Sequence, residues 1–144
     1  MRFLVVGAHA LAVHGRPRAT GDLDVFVEPT AANAARLGAA LASFGFPALA
    51  AKANDFATPD RMATLGREPL RIDIMTSISG VPFLEAWRGR HRIRIGRHLV
   101  GFLGKRQFLK NKASAGRPKD LLDLALLEEA GVGKQRRRKR TTGR

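Results

Sequence analysis

The stretch that decides the fold is Val5-Val6-Gly7-Ala8, together with Asp22-Leu23-Asp24-Val25-Phe26-Val27 further along the chain. An apolar strand leads into a glycine, and a second apolar strand begins with two aspartates. Because side chains alternate along a strand, Asp22 and Asp24 share one face of it. Aspartate is disfavoured in strands, so two aspartates on one strand face require an explanation. Binding of a divalent metal ion by the two carboxylates would provide it.

Length and composition limit the class of protein. The 144 residues are enough for one domain with a single core. The absence of cysteine excludes a disulfide framework and any thiolate metal site. No apolar run is long enough to span a membrane, and the N-terminal apolar stretch is too short for a signal peptide, so we expect a cytoplasmic protein.

The formal net charge of +14 is divided unevenly along the chain. Residues 134–144 hold seven Lys and Arg and no acid, which leaves +7 for the rest. We therefore predict a domain over 1–131 and a basic, disordered tail over 132–144 that binds polyanions without taking part in chemistry. A dedicated RNA-binding arm is the alternative for the tail. The charge of the domain favours an anionic partner, with nucleic acid or nucleotide first, although an acidic protein is an alternative.

Periodicity and turn residues predict an α/β (α+β) domain with a small mixed sheet and helices packed on one side. A helix is expected to begin after the N-cap Thr30 and to end at Gly45, and 47–60 shows no clear period and is expected to be a loop. The first strand begins the chain, so we expect an uncovered apolar edge that favours a homo-oligomer. The other predicted elements are strands over 2–6, 22–28, 61–65 and 70–75, a strand-rich stretch over 91–103, and helices over 8–14, 82–87, 105–113 and 118–130.

A third carboxylate lies in Ile72-Asp73-Ile74, again within an apolar strand. If this strand pairs beside the one that holds Asp22 and Asp24, three carboxylates converge on one face of the sheet. Such a set of oxygen ligands suits Mg²⁺ or Mn²⁺, and two such ions can clamp the attacking and leaving oxygens of a phosphoryl or nucleotidyl displacement. The alternative for Asp73 alone is an edge strand with its acid facing water.

Gly7 ends a strand and opens a helix, where free N–H groups attract phosphate, and the absence of Cβ lets a phosphate approach the backbone. The run from Gly7-Ala8 to Asp22-Leu23-Asp24, with Ile72-Asp73-Ile74, resembles the signature of the polymerase-β-like nucleotidyltransferase superfamily. Within that superfamily, the chain is similar to the bacterial abortive-infection toxin nucleotidyltransferases and their small relatives. The similarity extends to Asn111-Lys112 and to Gly116-Arg117-Pro118-Lys119-Asp120-Leu121-Leu122-Asp123, and it covers residues 3 to about 130.

The resemblance implies a role for particular residues. Asp22 and Asp24 would hold the metal ions, and Asp73 would help to bind one of them and deprotonate the acceptor hydroxyl. Lys112 would contact the triphosphate, although one more exposed lysine in a basic chain is the alternative. Ala8 stands where the family has glycine or serine, which removes a hydroxyl that donates to phosphate. The full set of expected nucleotide-binding residues is Gly7, Ala8, Arg18, Thr20, Lys112, Asp120 and Asp123.

The activity that the resemblance implies is metal-dependent nucleotidyl transfer. A nucleoside triphosphate would give its nucleoside monophosphate to a hydroxyl of RNA or protein and release pyrophosphate, and the biological role would be that of a toxin opposed by an antitoxin. Two alternatives stay open: a catalytically impaired nucleotide- or nucleic-acid-binding protein of the same fold, and a basic interaction module. The dipole at a helix N-terminus would equally explain Asp120 and Asp123.

Overall fold

A computed structural model of the chain describes residues 1–15 and 20–129. The strands are β1 (Phe3–Val6), β2 (Asp22–Val27), β3 (Met62–Leu65), β4 (Arg71–Met75), β5 (His91–Ile95) and β6 (His98–Phe102). The helices are α1 (Gly7–Val13), α2 (Ala31–Phe44), α3 (Pro47–Ala50), a 3₁₀ helix (Ala53–Ala57), α4 (Phe83–Arg88) and α5 (Lys105–Ala115). A last helix, α6, occupies 118–129 as far as the chain is described. Within these ranges we find no helix with the length and apolar character that crossing a membrane requires.

The six strands form one mixed sheet in the order β3-β4-β2-β1-β6-β5. The α+β class is therefore confirmed. The first strand lies inside the sheet, antiparallel to β2 and parallel to β6, and its Leu4, Val5 and Val6 are buried. The expectation of an uncovered edge at this strand is wrong, because the β5–β6 hairpin returns to cover it. The reason for expecting self-association there is removed with it.

Helices cover both faces of the sheet, so the expectation that they pack on one side is also wrong. Alternate residues of β1 and β2 belong to two separate apolar clusters: Leu4 and Phe26 pack with α1, α4 and α5, whereas Val27 packs with α2 and the 3₁₀ helix. The sheet is apolar on both faces wherever helices cover it. The sequence showed this for β1, whose four residues are apolar without alternation.

Local signals placed α2 correctly. The Thr30 hydroxyl accepts a hydrogen bond from the Asn33 N–H, and Gly45 ends the helix in the left-handed conformation at φ 99°. The stretch 47–60 is not a plain loop, because it contains α3 and the 3₁₀ helix. Pro47 opens α3 in the first turn, where a missing N–H has no consequence, and Phe56 is buried against α2. These two short elements show no helical period because each has about one turn.

Candidate active site

The three predicted carboxylates lie together at one end of the sheet. β2 and β4 are parallel neighbours, and their register sets Asp24 directly beside Asp73. Asp22 lies two residues before Asp24 and therefore shares its face. One carboxylate oxygen from each of Asp22, Asp24 and Asp73 lies within 4.8 Å of the others. The convergence of the three acids on one face, predicted from the alternation of residues, is thus what the structure shows.

Gly7 permits this arrangement by leaving space for Asp24. β1 and β2 pair so that Val6 faces Asp24, and Gly7 follows with φ +68°. A Cβ at Gly7 would collide with the carboxylate of Asp24. The glycine was predicted to let a phosphate approach the backbone, but in the described chain the group that approaches is the carboxylate itself. Gly7 and Asp24 are therefore linked sterically as well as by sequence spacing.

The negative charge of the Asp24 carboxylate is disfavoured by its surroundings. Burial raises the pKa of its carboxyl, and the neighbouring carboxylates of Asp22 and Asp73 raise it further, while the more distant Lys119 and Lys112 lower it. Burial penalises the ionised form, and like charges close by do the same. A cation at the cluster would relieve both effects, so the donor set and its electrostatics fit a hard divalent ion.

Asp73 is held differently from its two neighbours. The Arg71 guanidinium donates to both of its oxygens, from Nε to Oδ1 at 3.0 Å and from Nη2 to Oδ2 at 2.9 Å. The Thr64 hydroxyl donates to Oδ1 at 2.8 Å. The hydrogen bond from Arg71 has the largest effect on the pKa of Asp73. Together with that from Thr64, it lowers this pKa although burial raises it. Arg71 therefore neutralises the negative charge of one of the three carboxylates, that of Asp73.

A cleft of about 510 Å³ opens over the cluster and joins it to a positive wall. Asp22, Asp24 and Asp73 line one side. The other side comes from α5 and the start of α6, and its polar residues are Asn111, Lys112, Arg117 and Lys119. A cleft with carboxylates opposite cations can hold a metal ion and a polyanionic ligand at the same time.

Lys112 is buried rather than exposed, which excludes the alternative of an ordinary surface lysine. Its ammonium lies 3.1 Å from Oδ1 of Asp120 and 3.5 Å from Oδ2 of Asp123. Both carboxylates are completely buried, and the side chain of Lys112 is only 5 % exposed. Arg117 also donates to Asp120, at 2.7 Å from Nε. Burial favours the neutral acid of Asp120, but the hydrogen bonds from Arg117 and Lys112 outweigh it and lower its pKa.

Asp120 and Asp123 therefore lie behind the cleft wall and not on its surface. They were predicted among the nucleotide-binding residues, and the structure places them where they hold Lys112 and Arg117 toward the cleft. Their positions in α6, three apart, put both on the same side of that helix. A favourable interaction with the helix dipole would not require Asp120 and Asp123 to be buried. Their ion pairs with Lys112 therefore explain the two acids better.

The other predicted residues lie outside the cleft or outside the described chain. Ala8 is only 5 % exposed and does not line the cleft. The Thr20 hydroxyl bonds to the backbone of Asp22 at 3.2 and 3.3 Å and shapes the entry into β2. Arg18 and the basic tail lie beyond the described residues, 1–15 and 20–129. The structure thus gathers Gly7, three aspartates and Lys112.

Sequence reasoning missed four residues that the structure brings to the site: Thr64, Arg71, Arg117 and Lys119. A signal for Arg71 was present, because it lies two residues before Asp73 on the same strand and must share its face. Thr64 pairs directly with Asp73 across the antiparallel β3–β4 ladder, which the predicted hairpin could have located. Arg117 and Lys119 were noticed only as part of a motif.

No family model matches this chain, and no curated protein sequence matches it significantly. The resemblance to the polymerase-β-like superfamily therefore stays a prediction carried by the motifs alone.

Gly7→Ala is expected to destabilise the protein and weaken Mn²⁺ binding together. Alanine at a left-handed φ costs about 1–2 kcal/mol, and its Cβ would also displace Asp24. Gly45→Ala is the matched control, since its φ is +99° and a Cβ there would meet nothing within 4 Å. Both variants should unfold earlier in urea, but calorimetric titration with Mn²⁺ should weaken only for Gly7→Ala. Equal Mn²⁺ affinities would contradict the steric link.

Proposed function

We propose that this protein is a divalent-metal-dependent nucleotidyltransferase of the polymerase-β-like fold, which transfers a nucleoside monophosphate from a nucleoside triphosphate to a hydroxyl acceptor. The observation that carries the proposal is the cluster of Asp22, Asp24 and Asp73 facing a wall of cations across one cleft. The spacing from Gly7 to Asp24, together with the acid on the adjacent strand, adds the motif that led to the prediction.

Asp22, Asp24 and Asp73 are the residues that would hold Mg²⁺ or Mn²⁺. Bound there, the metal would neutralise charge on the transferring phosphoryl group and activate the acceptor oxygen. Asp24 is the ligand with most to gain, because burial and its two neighbours disfavour its negative charge when no cation is present. Asp22 is half-buried at the cleft and reaches the same space.

The opposite wall would bind the triphosphate. Lys112, Arg117 and Lys119 line the cleft there. Asp120 and Asp123 orient Lys112 and Arg117, so these cations are fixed before a ligand arrives. Preorganised positive groups stabilise negative charge more effectively than mobile ones, because they require no reorganisation during the reaction.

Arg71 competes with both of the tasks proposed for Asp73. Oδ1 of Asp73 accepts hydrogen bonds from Arg71 and Thr64, whereas Oδ2 accepts one from Arg71 alone and keeps one lone pair for a metal ion or a proton. The Arg71 side chain is 36 % exposed and lines the same cleft. Once released, its guanidinium can bind a phosphate oxygen or the acceptor backbone, with the bidentate geometry that arginine offers.

The second candidate is a nucleotide-binding protein without turnover. The Arg71–Asp73 pair favours it, because a carboxylate whose pKa is lowered by hydrogen bonds to both of its oxygens is a weaker base. This protein would bind triphosphates through Lys112, Arg117 and Lys119 and would retain that affinity when Asp22 is replaced. The two candidates differ in turnover and in their dependence on the carboxylates.

The test is incubation of the full chain with each α-labelled nucleoside triphosphate, Mn²⁺ or Mg²⁺, and either total RNA or total protein. We expect label to appear in one macromolecular fraction and pyrophosphate to be released in equal amount. Asp22→Asn should abolish both signals, whereas Asp55→Asn, an exposed acid outside the cleft, should change neither. Triphosphate binding without label transfer would overturn the enzymatic proposal in favour of the second candidate.

A further inference from the structure

Positive charge is concentrated in one stretch of the chain, and most of its Lys and Arg residues have no role in the proposed nucleotidyl transfer. Residues 86–119 hold eleven Lys and Arg and no Asp or Glu. Because the tail over 134–144 accounts for seven more, the rest of the protein has a net charge of −4. The domain is therefore strongly polarised, with its excess positive charge on α4, the β5–β6 hairpin and α5.

Ion pairs neutralise only some of these cations. Lys110 pairs with Glu85, and Lys112 and Arg117 pair with the buried acids of α6. Among the described residues, no ion pair is formed by the arginines of the hairpin region. They are Arg88, Arg90, Arg92, Arg94 and Arg97, and we call them the hairpin arginines.

Two of the hairpin arginines, Arg90 and Arg92, lie beside Trp87. The Arg90 guanidinium stacks on the indole ring at 3.9 Å from its centroid, and its Nη1 donates to the Trp87 carbonyl at 2.6 Å. Arg90, Arg92 and Trp87 line a small cavity of about 210 Å³ together with Leu99 and Gly101 of β6. Arg92 and Arg94 face Gly101 and Leu99 across the ladder, so no acid lies opposite them.

We propose that the hairpin arginines form a binding surface for the phosphodiester backbone of a nucleic acid. Arg92 and Arg94 lie two apart on an exposed strand, roughly 6.8 Å from each other, a separation comparable with that of successive phosphates along one strand. Arginine donates two parallel hydrogen bonds to phosphate, and all five of these cations are arginine. Arginine pairs in the same way with carboxylates, so the regular spacing of Arg92 and Arg94 is what favours a phosphodiester backbone over an acidic protein.

This surface is distinct from the carboxylate cluster. Two strands, β1 and β6, separate β5 from β2 in the sheet, and none of the hairpin arginines lines the cleft. Binding there does not depend on metal or on nucleotidyl transfer, so the inference stands or falls separately from the proposed function. If that function is correct, the surface would hold the acceptor strand.

The test compares two double variants of the full chain that remove the same charge. Arg92→Thr with Arg94→Thr removes two hairpin arginines while keeping a residue that strands favour. Arg36→Gln with Lys52→Gln is the control, since both are exposed and lie on the α2 side of the molecule. Binding of a labelled single-stranded RNA, and of DNA of the same sequence, is followed by fluorescence anisotropy over a salt series.

We expect the hairpin variant to bind RNA about tenfold or more weakly and the control to bind like the original protein. The slope of log K against log[salt] should fall by about 1.4 for the hairpin variant, because each lost phosphate contact removes about 0.7 for single strands. Arg92→Lys with Arg94→Lys keeps the charge, so the slope should stay unchanged while part of the affinity is lost with the parallel hydrogen bonds. Unchanged thermal unfolding would show that the hairpin is intact.

Three results would overturn the inference. Equal losses in the hairpin variant and the control would show that only net charge matters. An unchanged slope in the hairpin variant would show that Arg92 and Arg94 touch no phosphate. Tighter binding of poly-glutamate than of either nucleic acid, lost in the same variant, would assign the surface to an acidic protein. Equal affinity for RNA and DNA supports backbone recognition, and a preference for RNA supports it with an added contact to the 2′-hydroxyl.

Discussion

Lys112→Met is expected to lower the free energy of unfolding by about 3 kcal/mol or more, since removal of one partner from a buried ion pair leaves charge uncompensated. Methionine keeps the length and flexibility of the side chain, so little packing is lost. Asp120 and Asp123 have no exposed surface through which water could replace the ammonium. Arg117 still serves Asp120, which places the expected loss at the lower end of the range for buried pairs.

Lys110→Met is the matched control in the same helix. Its ammonium lies 2.9 Å from Glu85, but the two side chains are 51 % and 39 % exposed, and exposed pairs contribute about 1 kcal/mol or less. Urea unfolding followed by fluorescence of Trp87, the single tryptophan, measures both variants. Similar losses in the two would show that Lys112 does not stabilise the buried acids, and would leave the lysine a role only toward the ligand.

The effect of Lys112→Met should also depend on pH. The pKa of Asp120 is lowered in the folded protein, so its paired form stabilises the fold above the unfolded value of 3.8 and loses that contribution as pH falls through the folded pKa. The difference between the original protein and the variant should therefore be largest near neutral pH and should shrink in acid. A difference that grows in acid would contradict the assignment.

The sequence predicted the part of the site that local alternation determines. Asp22 and Asp24 share a face because they are two apart on one strand, and no tertiary information is needed to know it. Asp73 joined them because the prediction assumed that its strand was a neighbour, and the parallel β2–β4 register fulfils this assumption. The strand boundaries themselves came from turn residues such as Gly66 and Pro69.

The features that the sequence did not predict depend on which helices and strands pack against each other in the folded chain. Lys112 was predicted to contact the triphosphate, with a surface lysine as the alternative, but its burial beside two acids was not predicted, because only the packing of α5 against α6 produces it. β1 was expected at an edge because no element precedes it, yet a strand about a hundred residues later covers that edge. The burial of Lys112 and the place of β1 have the same physical origin, since the packing of one element against another leaves no periodic signal in either partner.

The second large effect is expected for Asp24→Asn, which should reduce turnover by at least about 10²-fold, as removal of one electrostatic group aimed at a transition state does. The amide keeps the shape of the carboxylate but loses its negative charge, so Mn²⁺ affinity should fall in parallel. Label transfer and calorimetric titration measure the two quantities. Asp55→Asn is the control, because it makes the same change at an exposed position outside the cleft.

The same variant should be more stable than the original protein when a chelator is present. Burial, then Asp22 and Asp73, raise the pKa of Asp24, so its favourable contribution is complete below the unfolded value of 3.8 and is lost as pH rises through the folded pKa. At neutral pH the ionised group therefore opposes folding, and asparagine removes that penalty. Thermal unfolding in chelator should occur at higher temperature for Asp24→Asn, and the advantage should disappear in acid.

Asp73→Asn should do the reverse, which makes the pair of variants a sharp test of the site. Hydrogen bonds from Arg71 and Thr64 lower the pKa of Asp73, so its contribution is present above 3.8 and asparagine forfeits it at neutral pH. Added Mn²⁺ should then stabilise the original protein, because a ligand that binds only the folded state shifts the equilibrium toward it, and should stabilise both variants much less. If Mn²⁺ raises the unfolding temperature of all three proteins equally, the three carboxylates are not the metal site.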